Sequence, residues 1–125
     1  MKTRKEHEAP EAVSKWGRKY HHIGIPTNKQ MPDEVYISHL KFYVSGFPDS
    51  PFGIEWMRFE ENSPVHELVQ SVPHIAFKVE NIDNEIKKHD LNVISPTNSP
   101  AEGIKVAMIK HNGTPIELIE FEKME

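Results

Sequence analysis

Val72-Pro73-His74-Ile75-Ala76-Phe77-Lys78-Val79 decides how this chain is read, because its centre occurs twice. His74-Ile75-Ala76-Phe77 repeats His22-Ile23-Gly24-Ile25: a histidine, an isoleucine, a small residue and an apolar one. A second pair follows at the far end of each half. Ile54-Glu55-Trp56-Met57-Arg58-Phe59-Glu60 matches Ile116-Glu117-Leu118-Ile119-Glu120-Phe121-Glu122, keeping Ile, Glu, Phe and Glu at the same offsets. An internal repeat of this kind predicts two copies of one supersecondary unit. Each copy opens on a histidine strand and closes on an Ile-Glu strand. The histidine-to-glutamate interval is 33 residues in the first copy and 43 in the second. The difference is the length of a short helix.

Residues 82–89 predict that helix, capped by Asn81 and turning Ile82 and Ile86 inward. The equivalent stretch of the first half, residues 26–34, carries two prolines and reads as loop. Further strands are expected over 20–25, 35–45, 52–60, 72–79, 91–94, 104–110 and 115–121, with loop over 95–103 and a turn of helix within 61–71. His111-Asn112-Gly113 predicts a tight hairpin. The fold class expected is α+β: two βαβββ-type modules, about 20–60 and 72–122, the first lacking most of its helix. Together they form a curved, mixed eight-stranded sheet around a cleft within one domain, 20–122. Residues 1–19 are an N-terminal extension, read as a short helix with a stripe at Ala9, Ala12, Val13 and Trp16, or as disordered.

Strand alternation assigns the side chains to faces. His22 shares a face with Gly24, His74 with Ala76, Glu55 with Met57 and Phe59, and Glu117 with Ile119 and Phe121. A carboxylate on an otherwise apolar strand face is costly unless it is paired or bound to a metal. His22, Glu55, His74 and Glu117 are therefore the candidate ligands of one divalent metal ion, whose charge two neutral imidazoles and two carboxylates balance. The mixed nitrogen and oxygen set suits Zn, Ni, Mn or Fe. Glu117 is the candidate catalytic residue, moving a proton beside the metal. His21 competes with His22, and alternation favours His22. His39 is read as structural and Lys78 as a snorkelling lysine. Glu60, Glu120, Glu122, His7, His66, His89 and His111 read as solvated surface.

The chain of 125 residues has no cysteine, so disulfides and thiolate chemistry are excluded. Net charge is −4 with the signs interspersed, which predicts no nucleic-acid partner. No apolar run approaches a membrane span and the first residues lack a signal-peptide core, so a cytoplasmic location is expected. The apolar outer face left by the missing helix predicts a homodimer.

At these motifs the chain resembles the vicinal oxygen chelate superfamily, which includes lactoylglutathione lyase, methylmalonyl-CoA epimerase, extradiol dioxygenases, and bleomycin and fosfomycin resistance proteins. His22-Ile23-Gly24-Ile25 resembles the family's first strand, Val72–Val79 its fifth, and Asn112-Gly113-Thr114-Pro115-Ile116-Glu117-Leu118 its last hairpin and strand. The resemblance implies metal ligands on the first, fourth, fifth and eighth strands, again His22, Glu55, His74 and Glu117. It implies a glyoxalase-like isomerase or lyase acting on a small oxygen-rich metabolite through an enolate-like intermediate. A non-catalytic small-molecule binding or resistance-type protein on the same fold is the alternative, and an inactive interface module a third. The loop over 26–34 departs from the family pattern, in a region that contributes substrate contacts.

Overall fold

The computed structural model describes residues 8–122; the disorder expected for the first few residues lies outside that range. Eight strands form one mixed sheet: β1 (Lys19–Pro26), β2 (Val35–Ile37), β3 (Phe42–Ser45), β4 (Ile54–Phe59), β5 (His74–Lys78), β6 (Val93–Ala101), β7 (Ile104–His111) and β8 (Thr114–Phe121). Their order is β2-β3-β4-β1-β5-β8-β7-β6, curled into a half-barrel. The helices are α1 (Glu11–Ser14), α2 (Glu67–Ser71) and α3 (Ile82–His89), with a 3-10 turn at Phe47–Asp49. None is long and apolar enough to cross a membrane.

The register makes the repeat visible in space. β1 and β5 pair antiparallel, with Ile23 opposite Ile75, His22 opposite Ala76 and Gly24 opposite His74. β1 pairs in parallel with β4, setting Gly24 beside Glu55. β5 pairs in parallel with β8, setting Ala76 beside Glu117. A pseudo-two-fold through the Ile23–Ile75 pair therefore exchanges the modules. It aims both histidines and both glutamates at the concave face.

Two expected boundaries differ. The single strand expected over 35–45 is a hairpin, β2–β3, because the chain reverses at residues 38–41 and Lys41 takes a positive φ of 53°. The loop expected over 95–103 is mostly strand: β6 continues to Ala101 despite Pro96 and Pro100, with repeated register shifts against β7. β6 lies at the sheet edge, where a residue without an N–H is tolerated. The Asn112-Gly113 turn has φ values of 50° and 76°, the left-handed pair a type I′ hairpin needs.

The compact core lies on the convex side of the second module. There α3 packs Ile82 against Val79, Ala107, Ile109 and Leu118, with Ile86 beside them. Asn81 Oδ1 accepts from Asn84 N at 2.9 Å, capping the helix. Glu120 accepts from Ile82 N at 2.9 Å, so this residue is a helix-end partner rather than solvated surface. His66 likewise is more than surface: its Nδ1 accepts from Leu68 N at the start of α2. The N-terminal extension joins this same side. Trp16 stacks on His89 at 3.5 Å between ring centroids, and Arg18 Nε meets the buried Glu85 at 2.9 Å. His89 is thus a stacked, half-buried residue instead of a free surface one. His7 lies outside the described residues.

The convex side of the first module has no helix among the described residues. The loop before β2 supplies Glu34, which accepts from Arg58 Nε and Nη2 at 2.8 and 2.7 Å, and the guanidinium lies over Tyr43 at 4.2 Å. Tyr36 hydrogen-bonds Glu60 on the same module. His39, in the β2–β3 turn, bonds the Ser99 carbonyl of β6 at 3.2 Å and so links the two edges of the half-barrel.

Candidate metal centre

Three side chains meet at the base of the concave face. One ligand atom from each of His22, His74 and Glu117 lies within 4.8 Å of the others, and all three residues are buried. Glu117 spans the two rings: His22 Nε2 is 3.5 Å from one of its oxygens and His74 Nε2 is 3.3 Å from the other. Glu55 lines the same cavity but stands outside this group of three. Sequence spacing places it in the right register; it does not fix how far its carboxylate reaches.

His74 carries the clearest sign of an incomplete partner set. It is 1% exposed; its Nδ1 has no partner, and its Nε2 meets only Glu117, at 3.3 Å and out of line for a hydrogen bond. A buried polar atom without a partner is costly, and cost is relieved when a ligand supplies the bond. The ring fits only because its neighbour on β1 is glycine. A Cβ on Gly24 would come within 2.2 Å of His74 Cε1 and 2.8 Å of Met57 Sδ. The pseudo-equivalent position, opposite His22, is Ala76, which carries the methyl that Gly24 lacks.

His21 corrects the alternation argument. A bulge in β1 shifts the register between Tyr20 and His22. His21 consequently lines the same cavity as His22 instead of the opposite face. Its Nδ1 lies 2.8 Å from His22 Nδ1, leaving His22 Nε2 turned to Glu117, and its ring stacks on Phe47 at 5.1 Å. A partner on the far nitrogen fixes the orientation of a ligating imidazole. A tandem His-His pair contains no signal for the bulge, which is why the sequence reading missed this contact.

Burial dominates the electrostatics. It pushes His22 down to about 4, although Glu117 pulls in the opposite direction, so the ring is neutral at pH 7 and has a lone pair to offer. Burial also lowers His21, opposed by Glu117 and aided by Lys78. Glu55 is pushed up to about 7 by burial first and by Glu117 second, with partial relief from His74. A carboxyl so raised is what a nearby cation would bring back into ionised form. The buried donors, the incompletely partnered His74 and the glycine cradle fit a divalent ion held by nitrogen and oxygen.

Above this base opens a cavity of about 570 Å³, within the roughly 300–1,000 Å³ range of small-molecule sites. Met57 lines it without filling it, and Phe59 stacks on Phe42 at 5.1 Å. Lys78 sits over the Phe121 ring at 5.7 Å.

Sequence comparison finds no matching protein-family model and no matching curated protein. Structural comparison finds a hypothetical protein, BH1468, from Bacillus halodurans C-125. It is 19% identical with a TM-score of 0.64, over 86% of this chain and 97% of that one. Methylmalonyl-CoA epimerase from Mycobacterium tuberculosis is 17% identical with a TM-score of 0.58, over 83% of this chain and 88% of the epimerase. At such identities the likeness speaks to fold. The paired modules, the strand order and these two likenesses together give this chain the vicinal oxygen chelate fold.

Proposed function

We propose that the protein is a metal-dependent isomerase or lyase-type enzyme that acts on a small molecule with oxygens on neighbouring carbons, through an enolate-like intermediate. The observation that carries this reading is the buried His22, His74 and Glu117 group beneath an open cavity, with the His74 nitrogens lacking any other partner. His22, His74 and Glu117 would hold one divalent ion (Zn, Ni, Mn or Fe), with Glu55 as a fourth donor within the same cavity. When bound, the ion supplies Lewis acidity to the paired substrate oxygens.

The chain's own groups then move the proton. Glu117, expected to double as the base, takes a proton from the carbon beside the substrate carbonyl. The C–H pair passes into the enolate, and the same carboxyl returns the proton to that carbon or its neighbour. A specific observation favours Glu55 as the second reading for this step: Glu117 is engaged by both rings, whereas Glu55 faces the cavity outside that group. The apolar cavity walls would exclude water from the enolate.

Zinc binding by equilibrium dialysis, followed by solvent deuterium uptake into α-hydroxy ketones, tests the reading. Metal-dependent exchange that vanishes in His74→Ala is expected. Zinc binding with no exchange on any member of the panel would favour the alternative, a non-catalytic binding protein; absence of zinc binding would remove the metal from both. Glu55→Gln and Glu117→Gln separate the two base assignments, since the base is the residue whose loss stops exchange while zinc stays bound. A cytoplasmic homodimer completes the proposal: Ile75 and Tyr36, at 41% and 43% exposed, are apolar surface suited to a second copy. A monomer by light scattering would refute that part.

A further inference from the structure

The distribution of charge around the cavity narrows what enters it. The ionisable groups in the cavity wall are His21, His22, Glu55 and Glu117. All four belong to the metal centre or touch it. Among the described residues no lysine or arginine lines the cavity. Arg58 is paired with Glu34 on the convex side and Arg18 with Glu85 behind α3, while the exposed Lys78 lies outside the wall over Phe121, near enough for its charge to act on His21.

The rest of the wall is apolar and comes from both halves. Phe42 and Val44 from β3 face Val106 and Met108 from β7, and the fully buried Val69 of α2 lines the same space. Its uncharged polar side chains, the half-buried Ser95 and the exposed Thr97 and Asn98, all belong to the edge strand β6.

We infer that the cleft takes an uncharged ligand with an apolar body, oriented by two adjacent oxygens at the end nearest His22, His74 and Glu117. The oxygen end rests on the function proposed above; the apolar body rests on the wall alone. A phosphate, carboxylate or sulfonate on that body would enter a low-dielectric space with two carboxyls below it and no cation in the wall around it. An anion buried without a partner is strongly disfavoured. Apolar surface on the ligand, by contrast, gains in proportion to the area withdrawn from water. Alicyclic or aromatic hydroxy ketones and diols are the class this selects, and phosphorylated sugars and free keto acids are the class it rejects.

Two probes that differ only in body charge test this: 2-hydroxy-1-phenylethanone and its 4-carboxy derivative, titrated calorimetrically into the full chain with and without zinc. The neutral probe should bind at least about ten-fold more tightly, the size of penalty an unpaired anion imposes. Thr97→Lys places a cation at the exposed rim, away from the buried donors, and should narrow that ratio. Equal or tighter binding of the carboxylated probe by the unmodified chain overturns the inference. So does failure of both probes to bind, and so does carboxylate binding that disappears in Lys78→Ala, which would assign the anion to that lysine. Zinc dialysis on the same sample keeps the two ideas apart. A chain that binds no zinc yet prefers the neutral probe sinks the metal-dependent function and retains the apolar cleft. A chain that binds zinc but prefers the anion does the reverse.

Discussion

In the second module α3 lies across the convex side of the sheet and leaves Ile82 only 1% exposed. In the first, the corresponding side carries Arg58, held by Glu34 and stacked over Tyr43. An aliphatic core stands on one side of the pseudo-two-fold and a guanidinium grip on the other. Yet β1 with β4 and β5 with β8 share one register, and it delivers a histidine and a glutamate from each half to the concave face. The convex covering is thus dispensable for placing the site. Stability and chemistry are distributed differently: the second half contains the tight core and gives both His74 and Glu117 to the metal group, while the first gives His22.

That inequality makes the largest prediction. His74→Ala and Glu117→Ala should each reduce zinc affinity by more than about 100-fold, beyond the 10- to 100-fold typical of residues that only support a ligand. Glu55→Ala should fall inside that supporting range. Equal losses for Glu55 and Glu117, by dialysis or competition with a chelator, would restore the symmetric four-ligand centre that the repeat suggests.

The next effect is on folding. Ile82→Ala removes a fully buried aliphatic side chain from the second module and should cost about 2–5 kcal/mol in urea unfolding. Arg58→Ala in the first module should cost clearly less, because its ion pair is partly open to water (side chain 27% exposed). The reverse order would mean that the loop bearing Glu34 does structural work equal to a helix.

Gly24→Ala should follow, at about 1–3 kcal/mol, the usual penalty for overpacking a full site. The added Cβ meets the rigidly enclosed His74 ring, so zinc affinity should drop with stability. Ala76→Gly, the pseudo-equivalent change, removes a methyl and should leave zinc binding nearly intact. If both substitutions behave alike, the close approach of the His74 ring to Gly24 has no consequence for the metal.

The histidine and glutamate registers, the α3 helix with its Asn81 cap and the Asn-Gly hairpin were legible in the sequence because each is a local pattern repeated at fixed offsets. What escaped it depends on neighbours. Pro96 and Pro100 mark loop unless the strand is known to lie at an edge. The reversal at Lys41 interrupts a run of β-formers with no glycine or proline to announce it. The bulge that brings His21 to His22 is invisible in a His-His dipeptide. Docking of Trp16 and Arg18 onto α3 is a contact between segments about 70 residues apart. Glu55 shows the same limit at the site itself: its register was readable, its reach was not.

The smallest expected effect is a near-absence. In the metal-free protein the first module holds two groups shifted in opposite senses, His22 down to about 4 and Glu55 up to about 7. Between pH 4 and 6.5 the unfolded chain binds a proton at His22 that the folded chain refuses, so this group makes stability rise with pH. Between pH 4.5 and 7 the folded chain retains a proton at Glu55 that the unfolded chain has lost, so this group makes stability fall with pH. Each swing alone is on the order of 3 kcal/mol. Over pH 4.5–6.5 they oppose one another, and the contribution of this pair should be almost flat. Glu55→Gln removes one of them and should expose a stability that climbs from pH 4 to 6.5 relative to the parent chain. Urea midpoints across that window, taken in chelator, measure the difference. Parallel profiles for the two proteins would show that Glu55 ionises normally in the folded state, and that the cavity base is wetter than its geometry implies.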